Sequence, residues 1–225
     1  LFASSSLQQV ALQTASAGKA GFITSLYIVF VPIISQVFGK KVGLRYWLAV
    51  AIAVAGLFLM TIGDSGGFAT ADILLLVGAV GYSFHILTIA KYAGELDPIA
   101  LSASQFLIAA VLSLIPALSF ESLQPAVIKP ALPAILYAGV FSCGVAYTLQ
   151  IVAQRDSKPT VASMIMSLEA VFAAIGGALI LGQMLSAREL EGSILMLAAT
   201  FYVQYLENKE INRSADEKES GGENK

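Results

Sequence analysis

The sequence predicts an all-α polytopic membrane protein organised as an inverted internal repeat. Three observations carry that prediction. Hydrophobic residues make up 57% of the 225 residues and charged residues 12%, against about 45–50% and about 25% in soluble domains. Seven apolar runs approach or exceed the roughly 20 helical residues that cross a bilayer core, and in lipid a run that long has to satisfy its own backbone by being helical. Residues 7–56 also align without gaps on residues 149–198, at an offset of 142.

Eight hydrophobic segments follow in order. Leu1–Ala15 is short and starts inside an apolar stretch without Met, so it is expected to be the remnant of a span in an N-terminally truncated chain. Ala20–Phe38 contains Pro32, which is expected to kink it and free a carbonyl. Arg45–Gly63 follows Gly39. Asp72–Tyr92 follows Gly66-Gly67 and carries the lone histidine, His85. Pro98–Ser119 opens on a proline, which a first helical turn tolerates; Ser102 and Gln105 begin a weak polar face on it. Ala131–Ala153 comes after Lys129-Pro130. Pro159–Gln183 opens on another proline and is apolar except for Glu169. Arg188–Leu206 closes the set, and residues 207–225 are charged and Gly-bearing, a composition that predicts a disordered tail.

Charge gives an orientation. Connections alternate sides, and one set holds ten of the thirteen Lys and Arg residues, among them Lys40, Lys41, Arg45, Lys91, Arg155, Lys158 and the tail. The other set holds Lys19, Lys129 and Arg188. The rich side is expected to be cytoplasmic, with the C-terminus inside a plasma or inner membrane. The net charge of −2 and the lack of a basic cluster argue against a nucleic-acid partner. Cys143 is the single cysteine, which excludes an internal disulfide and a thiolate metal cluster.

The repeat supplies the organisation. Leu7-Gln8-x-Val10-Ala11 matches Leu149-Gln150-x-Val152-Ala153. Ala20, Ile23, Ser25-Leu26, Val29-Phe30 and Ile33 match Ala162, Ile165, Ser167-Leu168, Val171-Phe172 and Ile175. That is eleven identities in the first 27 aligned positions. Five spans separate equivalent points, so the second copy is expected to lie inverted, a recurring plan of secondary transporters with the site at the midplane.

The run from Leu7-Gln-Gln-Val-Ala-Leu-Gln through Ser16-Ala-Gly-Lys-Ala-Gly-Phe-Ile-Thr-Ser-Leu-Tyr-Ile-Val-Phe-Val-Pro32 resembles the first-half signature of EamA-type transporters of the drug/metabolite transporter superfamily. Pro159-Thr-Val-Ala-Ser-Met-Ile-Met-Ser-Leu-Glu169-Ala-Val-Phe-Ala174 is similar to the second-half signature. The resemblance implies ten helices in two inverted five-helix repeats. About eight would be present here: residues 1–63 as the last three helices of the first repeat and residues 72–206 as the complete second repeat. The chain departs from the family where a Gly-Glu pair often follows the fourth helix. It reads Gly182-Gln183 in one copy and Lys40-Lys41 in the other, and Ala170 replaces the usual proline.

Glu169 leads the candidate site residues, since an acid at mid-span costs about 2.5–3.5 kcal/mol on insertion scales and is a functional candidate by default. On a continuous helix it shares a face with Ala162, Met166, Phe172, Ala173 and Gly176. It would bind cationic or hydroxyl groups of a solute, exchange a proton, or hydrogen-bond an opposing helix. Gly78, Gly81, Tyr82 and His85 form one face of their helix, a candidate cavity wall. Polar stripes run through Cys143, Tyr147, Gln150 and Gln154, and through Ser5, Gln8, Gln9 and Gln13. Tyr27 stands where the repeat places the counterpart of Glu169. The expected substrate-binding set is therefore Glu169, His85, Tyr147, Gln150, Gln8 and Tyr27.

No nucleophile–base arrangement, phosphate loop or metal spacing is visible, so no catalytic residue, cofactor or metal is expected. The reading is a transporter, not an enzyme, that moves a small metabolite or drug-like solute, with export the expected direction, by alternating access. Its partners are a small-molecule substrate and membrane lipid, with proton coupling a candidate and no oligomeric state indicated. The rival readings are a membrane-embedded scaffold, which moves no solute, and an intramembrane enzyme, for which His85 and Glu169 are the only pair available.

Overall fold

A computed structural model describes residues 1–15, 17–61, 69–120, 124–181 and 186–222. They fold as helices: α1 (Phe2–Ala11), α2 (Ala17–Ser25), α3 (Tyr27–Val37), α4 (Leu44–Thr61), α5 (Thr70–Tyr92), α6 (Pro98–Phe120) and α7 (Pro125–Tyr137). A π-helical stretch (Ala138–Ala146) then leads into α8 (Tyr147–Arg155), α9 (Pro159–Met166), α10 (Glu169–Leu181) and α11 (Ala187–Gly222). Gly66-Gly67, Gly182-Gln183 and Ser16 lie outside the described residues.

Five stretches among the described residues are long and apolar enough to cross a membrane: Lys19–Val37, Thr70–Tyr92, Pro98–Phe120, Ile128–Arg155 and Pro159–Gly176. The chain is thus a multi-pass membrane protein, with fewer qualifying spans than the eight segments of the sequence. The reasons are local. The apolar run of α4 covers Leu44–Met60, and α1 has ten residues. Arg188, Glu189, Glu191 and Glu207 flank the apolar part of α11 at both ends.

Local chemistry sets the helix ends. The α3 C-terminus closes on Gly39 at φ 81°, with Lys40 N–H donating to Ser35 C=O and Gly39 N–H to Gln36 C=O, both at 2.9 Å; this paired arrangement needs a residue in the left-handed region. Asp97 Oδ1 accepts from Ala100 N–H at 2.9 Å at the start of α6. Ser186 and Glu189 cap α11 reciprocally. Pro159 occupies the first turn of α9 as expected, whereas α7 begins at Pro125 and carries Pro130 and Pro133 inside it.

Two spans are interrupted at matching places. Between α2 and α3, Leu26 N–H turns back to Ile23 C=O; between α9 and α10, Leu168 N–H turns back to Ile165 C=O. These i→i−3 bonds lie 142 residues apart, in register with the repeat. Pro32 sits buried inside α3, six residues past the first interruption, so the expected proline kink is not what breaks this helix.

The core gathers α3, α4, α5, α9 and α11 around Ile28, Val31, Ala49, Val161, Met164 and Val203. The α4–α11 contact is the most extensive helix pair. It closes through Gly56 and Gly192, whose backbones touch: a Cβ built at Gly56 would stand 2.6 Å from the Gly192 carbonyl oxygen. By contrast α6 and α7 lie at the periphery and expose their apolar side chains, as lipid-facing helices do. At one end of the bundle Lys19 Nζ pairs with Asp72 Oδ2 at 2.8 Å, joining α2 to α5.

At another place Lys158 joins the start of α9 to α11. Its Nζ pairs with Glu210 and lies 3.4 Å from Tyr46 Oη, and its N–H donates to Glu207 Oε1 at 2.8 Å. The sequence ends the last apolar segment at Leu206, but α11 continues to Gly222. Glu207 and Glu210 anchor that continuation, and an established helix propagates at little cost per residue.

Candidate functional site

A cavity of about 260 Å³ opens at the middle of the bundle. Each interrupted span brings residues from both sides of its break. Thr24 ends the α2 side and Tyr27 begins α3; Met166 ends α9 and Glu169 begins α10. Helix α1 contributes Gln8, α5 contributes Tyr82, His85 and Ile86, and α8 contributes Tyr147 and Gln150. The π-helical stretch adds Ser142 and Ala146.

All six residues singled out from the sequence line this one cavity. They include two register-matched pairs of the repeat, Gln8 with Gln150 and Tyr27 with Glu169; Thr24 with Met166 makes a third.

The polar groups are ordered by short contacts. Tyr82 Oη donates to Gln8 Oε1 at 2.9 Å, and Gln8 Nε2 donates to Thr24 Oγ1 at 3.4 Å, a relay across α5, α1 and α2. His85 Nε2 lies 2.8 Å from Gln105 Oε1 on α6, so the weak polar face of that helix orients the imidazole. Tyr147 stands edge-on to Phe106, 5.1 Å between ring centroids, and 6.4 Å from the His85 ring. Glu169 is solvent-accessible, faces the cavity, and has the hydroxyls of Tyr27 and Ser25 beside it. Ser25 Oγ is fully buried and has no hydrogen-bond partner among the described residues.

Other sequence-marked residues lie elsewhere. Gly78 and Gly81 face Ser4 of α1, so the proposed wall of α5 divides: its glycines admit α1 and its Tyr82 and His85 reach the cavity. In the α1 stripe, Ser5 bonds its own helix backbone, and Gln9 and Gln13 are exposed. Gln154 is buried against Met166 Sδ at 3.8 Å, and Cys143 is half-buried. Phe172 is exposed, because the break at Leu168 disrupts the continuous face expected around Glu169.

The sequence reading left Thr24 and Ser142 out of the site. Thr24 was within reach of the repeat, since its counterpart Met166 falls on the Glu169 face. Ser142 had no such signal, because the π-helical register that turns it inward departs from the 3.6-residue period. No group of three or more His, Cys, Asp or Glu residues that could hold a metal occurs among the described residues.

Comparison with known proteins places this geometry. Residues 69–205 match the EamA-like transporter family. Over 197 residues the chain is 32% identical to a protein of Archaeoglobus fulgidus described as an uncharacterized transporter, covering 87% of this chain and 63% of that protein. The chain therefore spans under two thirds of that relative's length. A solved crystal structure superposes with a TM-score of 0.79 at 16% identity, over 92% of this chain and 74% of that one; at that identity the likeness is one of fold.

Proposed function

The chain belongs to the EamA-like transporter family, and from that premise we propose that it carries a small solute across the plasma or inner membrane through the central cavity. Transport proceeds by alternating access between two inverted repeats, residues 1–63 and 72–206, within a ten-helix plan of which this chain supplies eight. The Lys- and Arg-rich end, with the C-terminus, faces the cytoplasm, and net movement is outward.

The observation that carries this reading is the convergence of register-matched positions on one cavity. Gln8 with Gln150, Thr24 with Met166 and Tyr27 with Glu169 all line it, which is what a site on a pseudo-twofold axis requires. The helix breaks lie beside it, and a membrane protein tolerates irregular backbone where it is buried in protein or lines a cavity. Glu169, His85, Tyr147, Gln150, Gln8 and Tyr27 contact the solute, and Glu169 is the candidate for proton exchange.

The test is solute flux. The chain is reconstituted in liposomes and offered a panel of radiolabelled small metabolites, with Glu169→Gln as the comparison. At least one solute should accumulate, and the variant should lose about tenfold or more in rate, the effect of a charge-assisted contact of roughly 1.5–3 kcal/mol. A folded chain that moves nothing in the panel, or a variant as fast as the parent, would sink the reading.

A further inference from the structure

We propose that the cavity selects a small organic cation, an amine-type solute whose positive nitrogen sits against the Glu169 carboxylate and the rings of Tyr27 and Tyr147. This rests on the transporter reading above and names the chemistry of its substrate.

The first argument is charge. Among the described residues Glu169 is the one Asp or Glu that lines the cavity, and no Lys or Arg lines it. Lys19 pairs with Asp72 and Lys158 with Glu210, and neither reaches the lining. An organic anion would therefore meet a carboxylate with no opposing cation. A neutral polyol would leave the carboxylate without a counter-charge in a site that water shares only in part.

The second argument is the state of Glu169. It makes no ion pair among the described residues. The hydroxyl beside it on Ser25 is fully buried and bonded to nothing described. The hydroxyls of Tyr27 and Ser25 stand on the protein side of Glu169 as neutral donors, and no cation among the described residues does so; its cavity-facing side is left to a ligand that brings the opposite charge.

The third argument is the wall. Tyr27, Tyr82 and Tyr147 surround the acid, and aromatic faces attract ammonium groups by about 0.5–2 kcal/mol, more as water is excluded. Tyr147 is held by its edge contact with Phe106, so its ring is set before a ligand arrives. The volume of about 260 Å³ lies below the roughly 300–1,000 Å³ of sites for drug-sized ligands, which suits a small amine.

The experiment uses three probes of similar size: tetramethylammonium, methanesulfonate and erythritol, each radiolabelled. Equilibrium binding to the detergent-purified chain and uptake into liposomes are both read. Tetramethylammonium should bind and enter, and the anion and the polyol should do neither. Glu169→Gln should weaken cation binding by about tenfold or more, and the charge-retaining Glu169→Asp should restore most of it. Tyr147→Leu should lose about tenfold, near the upper part of the cation–π range, and Tyr147→Phe, which keeps the ring, should recover most of that loss.

Size-exclusion profiles that match the parent establish that each variant is folded. Binding of methanesulfonate or erythritol in preference to the cation overturns the proposal, as does unchanged cation affinity in folded Glu169→Gln. If metabolites of the wider panel move but no cation binds, this inference falls and the transporter reading stands; if nothing binds or moves, both fall.

Discussion

Lys158 shows how one residue outside the spans couples three groups. Its ammonium meets Glu210 and the Tyr46 hydroxyl, lies 5.4 Å from the centre of the Tyr46 ring, and its amide is taken by Glu207. Partial burial pulls its pKa down, but the hydrogen bonds and charge of Glu210 and Tyr46 outweigh that and raise it above the ordinary 10.5. A lysine whose folded value is raised contributes stability that is fully present below the unfolded value and fades as pH climbs through the folded one. Lys158→Met should therefore lower the unfolding midpoint by a constant amount from pH 7 to 9, and the gap should close as the pH passes 10.5. A gap that already closes near neutrality would contradict the assignment. Residues of this kind were legible only by type: the sequence put Lys158 on the basic side, but not Glu207 and Glu210 against it, because that contact joins positions 49 and 52 residues apart. The cavity residues were more legible, since the repeat ties Gln8 to Gln150 and Tyr27 to Glu169 before any fold is known. Within the stripe of α1 that same pairing sets Gln8 apart from Gln9 and Gln13, which fall opposite Ile151 and Arg155.

At the scale of elements, the glycines of α4 and α11 decide how closely the two helices approach. A Cβ at Gly56 would press on the Gly192 carbonyl at 2.6 Å and on Leu195 Cβ and Met196 Cγ at 3.0 Å. The first of these is backbone and cannot rotate away. Gly56→Ala and Gly192→Ala should each destabilise by about 1–3 kcal/mol, the range for overpacking a close contact, read as thermal unfolding in detergent. Gly94→Ala, where nothing lies within 4 Å of an added Cβ, is the control and should not be destabilising. If Gly56→Ala unfolds no earlier than the control, the close approach is not as described. Helix existence was readable from apolar run length, but the helix breaks were not. Ser25-Leu26 and Ser167-Leu168 contain neither Pro nor Gly, and apolar periodicity runs through them. At the second break Ser167 Oγ bonds back to Met164 C=O at 2.7 Å, which loosens a helix without a breaker residue; Ser25 at the first break makes no such bond among the described residues. Short 3₁₀ turns within helices often mark hinges, and these two stand directly beside the cavity.

For the whole molecule, the Lys19–Asp72 pair is one tie between α2 and α5, at one end of the bundle. Its two members are not equally buried: the Asp72 side chain is 3% exposed and that of Lys19 is 20%. Asp72 Oδ2 also accepts from Ala69 N–H at 2.7 Å, and its Oδ1 has no hydrogen-bond partner among the described residues. Removing the lysine strands a buried carboxylate, whereas Asp72→Asn leaves a lysine that can lean toward water on its long stem and keeps an oxygen for Ala69. Lys19→Met should therefore cost more than Asp72→Asn. Both losses should fall below the roughly 3–5 kcal/mol of a fully buried pair, because Lys19 retains part of its hydration. The double variant should be little worse than Asp72→Asn alone, since the lysine matters mainly through the charge it neutralises. Thermal unfolding of the four proteins checks this: additive losses would mean that the two side chains act independently and that the pair does not tie α2 to α5. The order of the single variants is the sharper readout, because it follows from the unequal burial of the partners and not from the existence of the contact.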